Sequence, residues 1–159
     1  MKLSRKLSAL AVASAFAFVP AAVLAADAHA HDHAKSEQRL VLNEGKKWST
    51  DEPMRRGMES IREQIASMRE SAGLAPMHPE YFAALGDSIK REVGEILVTC
   101  QLQPNADRNF HVIVNQLVVA ADTLEGKSGA DRASGMEHAE RVLSQYGRFF
   151  DHPGWQGRA

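Results

Sequence analysis

The chain has 159 residues, of which 44% are hydrophobic and 25% charged, and its formal net charge is −1. This length suits one domain with a hydrophobic core of its own. The balanced charge leaves no basic face, which argues against nucleic acid or an anionic membrane surface as the partner.

Residues 1–25 have the three parts of a secretory signal peptide. Cationic side chains open the segment at Lys2, Arg5 and Lys6, and an apolar run leads to a small-residue cleavage pattern ending at Ala25. An uncleaved membrane anchor is the alternative, but this run is Ala-rich and interrupted by serine and proline. No second apolar run approaches the roughly 18 residues that a membrane helix needs. The sequence therefore predicts a periplasmic protein that leaves the membrane once the signal is cleaved.

Residues 26–47 are predicted to be a flexible tether, because no helical or strand period there is long enough to pack alone. Disorder is expected to about residue 38, and Leu40 and Leu42 are candidates for docking on the bundle. The tether contains a tract with His29, His31 and His33 beside aspartates. Imidazoles and carboxylates on a flexible chain bind Cu(II), Ni(II) or Zn(II), although such tracts also occur as solvated tails. Cleavage after Ala26 would place His29 third from a free amine, which makes a square-planar Cu(II) or Ni(II) chelate.

Four amphipathic segments follow, each with an apolar stripe at helical spacing. They are predicted to span residues 51–73, 79–101, 106–124 and 131–149. Pro104 is expected to lie in the turn between the second and third segments. Helices of this length joined by short turns predict an all-α, up-down-up-down four-helix bundle over residues 48–155, ended by an aromatic tail.

Three local roles are predicted from side-chain chemistry. Thr50 or Asp51 caps the first helix. Gly57 permits a neighbouring helix to approach closely. Asp107 stabilises the start of the third helix through the helix dipole, or it pairs with His111 four residues further on.

In this topology the starts of the first and third helices share one end of the bundle with the ends of the second and fourth. We call it the tail end. It collects sulfur, imidazole and aromatic side chains: Met54, Met58, Cys100, His111, Tyr146, His152, Trp48 and Trp155. The two tryptophans are expected to tie the tether and the C-terminal tail to the bundle.

The soft sulfur and imidazole ligands at the tail end suit Cu(I), Zn or haem iron. The predicted metal ligands of the bundle are therefore Met58, Cys100, His111 and His152. Each also has a plainer interpretation, as a core, boundary or hydrogen-bonded residue. The lone Cys100 is either a small buried hydrophobe, a ligand, or a link between two copies of the chain.

Residues 42–51 read LNEGKKWSTD, residues 56–58 read RGM, residues 100–111 read CQLQPNADRNFH and residues 146–155 read YGRFFDHPGW. Together these stretches resemble a family of small proteobacterial exported proteins of the DnrO type. The resemblance covers about residues 40–155. It implies an exported protein of this fold and implies no activity.

A looser architectural resemblance is to cytochrome b562 and cytochrome c′, periplasmic four-helix bundles that hold haem near one end. Met58 matches the early methionine of the b562 pattern, whereas the fourth helix offers only His138, too early, and His152, past its end. No Cys-x-x-Cys-His motif occurs, which excludes covalent attachment of the c′ kind. Haem b held by Met58 and His111 is thus an alternative to a metal ion.

The leading interpretation is a periplasmic metal-binding or metal-handling protein, for copper or zinc, that uses the tail end, the histidine tract or both. The alternatives are a b-type haem protein and a cofactor-free bundle that binds a protein partner. No arrangement of acid, base and nucleophile stands out, so an enzyme is not predicted.

Overall fold

The computed structural model describes residues 39–74 and 76–155. The elements in chain order are β1 (Trp48–Ser49), α1 (Glu52–Leu74), α2 (Pro79–Thr99), α3 (Pro104–Leu124), α4 (Arg132–Phe149) and β2 (Phe150–Asp151). Each helix packs against its neighbour in sequence, and α4 also contacts α1, which closes the bundle. The predicted all-α four-helix bundle is confirmed. The predicted signal peptide and the histidine tract lie outside the described residues.

None of the helices in the described part of the chain is long and apolar enough to cross a membrane.

The helix boundaries follow from capping chemistry. Asp51 caps α1, because its carboxylate accepts a hydrogen bond from the Met54 N–H at 3.0 Å. The prediction that Pro104 lies in a turn is wrong, since α3 begins at this residue and Gln103 stands in the extended N-cap position. Proline fits the first turn of a helix, where its missing N–H leaves no hydrogen bond unmade. The α2–α3 connection therefore spans residues 100–103 instead of the predicted 102–105, at the same length.

The apolar stripe predicted for the first helix is fully buried over its first four positions, and Met68 beyond them is partly buried. Met54, Met58, Ile61 and Ile65 have no exposed surface. Ile96 of α2 is their counterpart across the interface, and a Cβ atom built at Gly57 would lie 2.4 Å from its Cγ1. The close approach predicted at Gly57 is therefore confirmed.

Residues 39–47, assigned to the flexible tether from their sequence, are seated on the bundle. The Val41 N–H donates to Asn109 Oδ1 at 2.9 Å, and the Trp48 indole donates to the Val41 carbonyl at 2.6 Å. Two hydrogen bonds between Asn43 and Lys46 close a tight turn. Isolated hydrogen bonds of this kind require no periodic pattern of residues, so the sequence gives no sign of them.

A two-stranded parallel sheet joins the segment that precedes α1 to the segment that follows α4. Trp48 pairs with Phe150 and Ser49 with Asp151. Around it, the Lys47 ammonium donates to the Gly147 carbonyl at 2.6 Å, and the Thr50 hydroxyl donates to the Asp151 carbonyl at 2.6 Å. The aromatic tail after α4 is thus fixed on the tail end by backbone and side-chain hydrogen bonds.

Candidate functional site

An aromatic cluster closes the tail end. Tyr146 stacks on Phe150 with ring centroids 5.3 Å apart, and Phe150 meets Phe110 edge-on at 5.9 Å. All three side chains are fully buried. Trp155 packs edge-on against Tyr146 at 4.8 Å, so the tail covers the core as an aromatic lid.

His152 is held inside this cluster by a hydrogen bond between its Nδ1 and the Tyr146 hydroxyl, 3.0 Å long. Burial lowers the pKa of His152, and the nearby Arg55 and Arg62 lower it further, against an opposing effect of Glu59. Burial raises the pKa of Tyr146. Both partners are therefore neutral at neutral pH, and one ring nitrogen of His152 is already occupied by the hydroxyl.

Trp155 lies over the backbone of Gly147, where an added Cβ atom would be 2.5 Å from the indole. The Arg62 guanidinium stands 5.8 Å from the centre of the indole ring. The Trp155 N–H is buried without a hydrogen-bond partner in the described structure. Trp155 holds the C-terminal tail against α4, as predicted. Trp48 is buried in the core and holds residues 39–47 through its hydrogen bond to Val41, as predicted.

Sequence reasoning missed the pair of Arg62 and Glu59 that borders this cluster. Arg62 donates two hydrogen bonds to the Glu59 carboxylate, one of them 3.1 Å long, and the pair holds the pKa of Glu59 below its usual value. The i,i+3 spacing was a visible signal. What the sequence did not show is that the tail folds back over this face of α1.

His111 lies on the outer side of α3, with 47% of its side chain exposed. Its Nδ1 is 3.0 Å from the Asp107 carbonyl oxygen and 3.5 Å from the Asp107 carboxylate. The alternative role predicted for Asp107, a pairing with His111, is present, but the hydrogen bond is made by the Asp107 backbone carbonyl and not by its carboxylate. A carbonyl oxygen can only accept, so Nδ1 carries the proton and the lone pair of the neutral imidazole is on Nε2.

Cys100 is the half-buried C-cap residue of α2. Burial raises the pKa of the Cys100 thiol, and the carboxylates of Asp51 and Asp107 raise it further. Asp51 is fixed there because its second carboxylate oxygen accepts a hydrogen bond from the Gln101 N–H at 2.5 Å. A thiol in such surroundings stays protonated and is a poor nucleophile until a cation offsets the carboxylates.

Met54 and Met58 contribute to the core rather than to an open site. Neither side chain has any exposed surface. Haem between Met58 and His111 would have to displace core side chains, because one residue is enclosed and the other is half-exposed. The residues present therefore do not fit haem in this conformation.

The predicted ligands do not converge in the described part of the chain. Within residues 39–74 and 76–155, no group of three or more His, Cys, Asp or Glu side chains is placed to hold a metal ion. Tyr146, His152 and Trp155 come together, while His111 pairs with Asp107 at a separate position. A metal site at His111 or Cys100 stays a prediction, as does one on His29, His31 and His33.

Two clefts follow the interface of α1 with α2. One has a volume of about 550 Å³ and runs between Ser71 and Tyr81, and the other, of about 420 Å³, runs between Pro53 and Val98. Two smaller clefts, of about 240 and 390 Å³, lie beside Arg39. None of these four clefts is lined by Met58, His111 or His152.

No family model, curated protein or solved structure matches this chain. The resemblance to exported proteins of the DnrO type therefore stays a prediction. Function has to be inferred from the side chains themselves.

Proposed function

We propose that this chain is an exported metal-binding protein for copper or zinc. The observation that carries the proposal is the state of His111. Its Nδ1–H is held by the Asp107 carbonyl, and the ring is half-exposed. Metal-binding histidines commonly have their second nitrogen fixed in this way by a carbonyl or carboxylate, which sets the tautomer and raises the basicity of the ligand.

The charge around Cys100 supports a cation nearby. Asp51 and Asp107 both raise the pKa of the Cys100 thiol, which means that their negative charge is felt at the sulfur. A bound cation would reverse that effect and favour the thiolate. Copper and zinc accept mixed sulfur and nitrogen ligands, so Cys100 and His111 are the bundle residues proposed to supply them, with Met58 and His152 as the less accessible candidates.

The histidine tract is proposed as a second, independent binding segment. His29, His31 and His33 offer three imidazoles within five residues. Neutral imidazole suits Cu(II), Ni(II) and Zn(II). Its proposed location on a secreted chain follows from the signal peptide pattern of residues 1–25.

The test is a metal titration of the secreted protein, purified without a histidine tag or chelator. Zn(II), Cu(II) and Cu(I) are each added, and binding is measured by calorimetry and elemental analysis. We expect the His111→Gln variant to bind the bundle-associated equivalent at least tenfold more weakly, and the Cys100→Ser variant to release fewer protons on binding. Replacement of His29, His31 and His33 by alanine should remove the remaining equivalents.

His78→Gln is the matched control, because His78 is exposed at the start of α2 and has no hydrogen bond from its side chain to the helix. Its metal binding should equal that of the wild type. If the protein bound none of the three metal ions, the proposal would be contradicted. A Soret band after expression with haem would favour the haem alternative instead.

A further inference from the structure

The two clefts along α1 and α2 lie end to end and share Ser60 in their linings, and together we call them the groove. Where they meet, the Ser60 hydroxyl donates a hydrogen bond to the Glu92 carboxylate at 2.9 Å. On α1 the groove extends from Pro53 to Ser71, which is about 27 Å at a rise of ~1.5 Å per residue. That length matches about five turns of a helix lying alongside. A compact metabolite would fill only a fraction of it.

The groove exposes apolar surface that the bundle itself does not cover. Val98 is 83% exposed and Tyr81 53% exposed, one at each end of the groove. Met68 and Met77 line the middle and the far end. Methionine side chains adapt to partners of varied shape, and exposed apolar surface of this kind marks interaction sites.

The charges in the groove are mostly negative. Glu63, Glu92 and Glu95 line it, and in the described residues none of the three forms an ion pair. The one cation of the lining, Arg56, is already bridged to Glu52 at 3.4 Å. The groove thus offers three carboxylates without a cationic partner in the described residues, of which Glu92 accepts a hydrogen bond from Ser60.

We propose that this groove binds a basic amphipathic helix of a partner protein. The apolar face of such a helix would cover Val98, Tyr81 and the methionines, and its Lys or Arg side chains would meet the three carboxylates. A second copy of this chain is a poorer occupant, since its own α1–α2 face would bring the same carboxylates into opposition. The proposal is independent of metal binding.

The probe is a fluorescein-labelled 18-residue synthetic peptide with leucines at helical spacing on one face and lysines on the other. Fluorescence anisotropy against the secreted protein, in buffer with a metal chelator, is expected to show saturable 1:1 binding. The Glu63→Gln/Glu95→Gln double variant should bind about tenfold more weakly. The Glu44→Gln/Glu137→Gln variant removes the same charge outside the groove, and its affinity should change less than twofold.

The apolar contact is tested with a second matched pair. Val98→Ser should weaken binding about fivefold, whereas Val119→Ser, at a residue 54% exposed on α3, should leave it unchanged. Circular dichroism verifies that all variants are folded. Equal losses in both charge variants would show non-specific attraction and overturn the proposal. A concentration-dependent dimer abolished by Val98→Ser would assign the groove to a second copy and overturn it too.

Discussion

At the scale of single residues, two glycines in neighbouring helices experience opposite surroundings. A Cβ atom at Gly57 would lie 2.4 Å from Cγ1 of Ile96, a side chain that is 1% exposed, whereas a Cβ atom at Gly94 would meet nothing within 4 Å. Alanine favours a helix over glycine by about 0.5–1 kcal/mol. Overpacking a core costs about 1–3 kcal/mol. The packing environment thus decides the sign of the same substitution.

We therefore expect Gly57→Ala to lower the free energy of unfolding by about 1–2 kcal/mol after the helix gain is subtracted. Gly94→Ala is the control and should raise the free energy of unfolding by up to ~1 kcal/mol. Urea unfolding followed by circular dichroism measures both. Equal stabilisation by the two variants would show that α1 and α2 can move apart at Ile96 without loss.

The surroundings of His152 predict how stability depends on pH. Burial, Arg55 and Arg62 lower its pKa in the folded state, so the unfolded chain binds the proton more tightly. Wherever the unfolded state binds more protons, stability rises with pH. The contribution of His152 is therefore fully present above the ordinary histidine pKa of 6.5 and is lost as the pH falls below it.

The measurement is the free energy of unfolding at pH 7.5 and 5.5 for the wild type and for His152→Gln. We expect the wild type to lose stability on acidification and the variant to lose less. The pKa of His138 is also lowered by burial, so the stability of the variant should still depend on pH to a smaller extent. An unchanged pH slope in His152→Gln would contradict the prediction.

At the scale of elements, Asp51 connects the start of α1 to the α2–α3 connection. One carboxylate oxygen caps α1 at the Met54 N–H and the other accepts from the Gln101 N–H. We expect Asp51→Ala to cost about 1–2 kcal/mol through the lost cap. The second bond adds little to that loss, because the Gln101 N–H is exposed and donates to water once its acceptor is removed.

The control is Asp131→Ala at the N-cap of α4, where the aspartate side chain makes no capping hydrogen bond. Its effect should stay within a few tenths of a kcal/mol, which is the size of the remaining helix-dipole interaction. Thermal unfolding of the two variants side by side measures whether Asp51→Ala loses more stability than Asp131→Ala. Similar losses in both would mean that Asp51 acts through its charge alone.

Across the whole molecule, the helices were predictable because local rules agree with the packing. The apolar stripe of the first helix is buried from Met54 to Ile65, as its helical spacing predicts, and the helix boundaries differ from the predicted ones by two residues at most. The missed start of α3 shows the limit, since Pro104 looks the same in a turn and in the first turn of a helix.

The sequence predicts which residues lie near the tail end, but it does not predict which of their side chains are in contact. Topology alone places Tyr146 and His152 together, and the structure joins them by a hydrogen bond. Whether a side chain such as His111 faces the core or the solvent depends on the rotation of α3, which its apolar stripe fixes only to within a fraction of a turn. The seating of residues 39–47 rests on Asn109, a partner that no local pattern identifies.

The parallel pairing of β1 with β2 makes the segment before α1 depend on the chain that follows α4. The chain segments it joins are about 100 residues apart, and closing a loop of that length costs roughly 4 kcal/mol in chain entropy. Packing of the helices shortens that loop, so we expect β1 to pair with residues 150 and 151 after the helices have packed. A chain cut before Phe150 lacks the ring that meets Phe110 edge-on, so part of the aromatic surface at the tail end loses its cover.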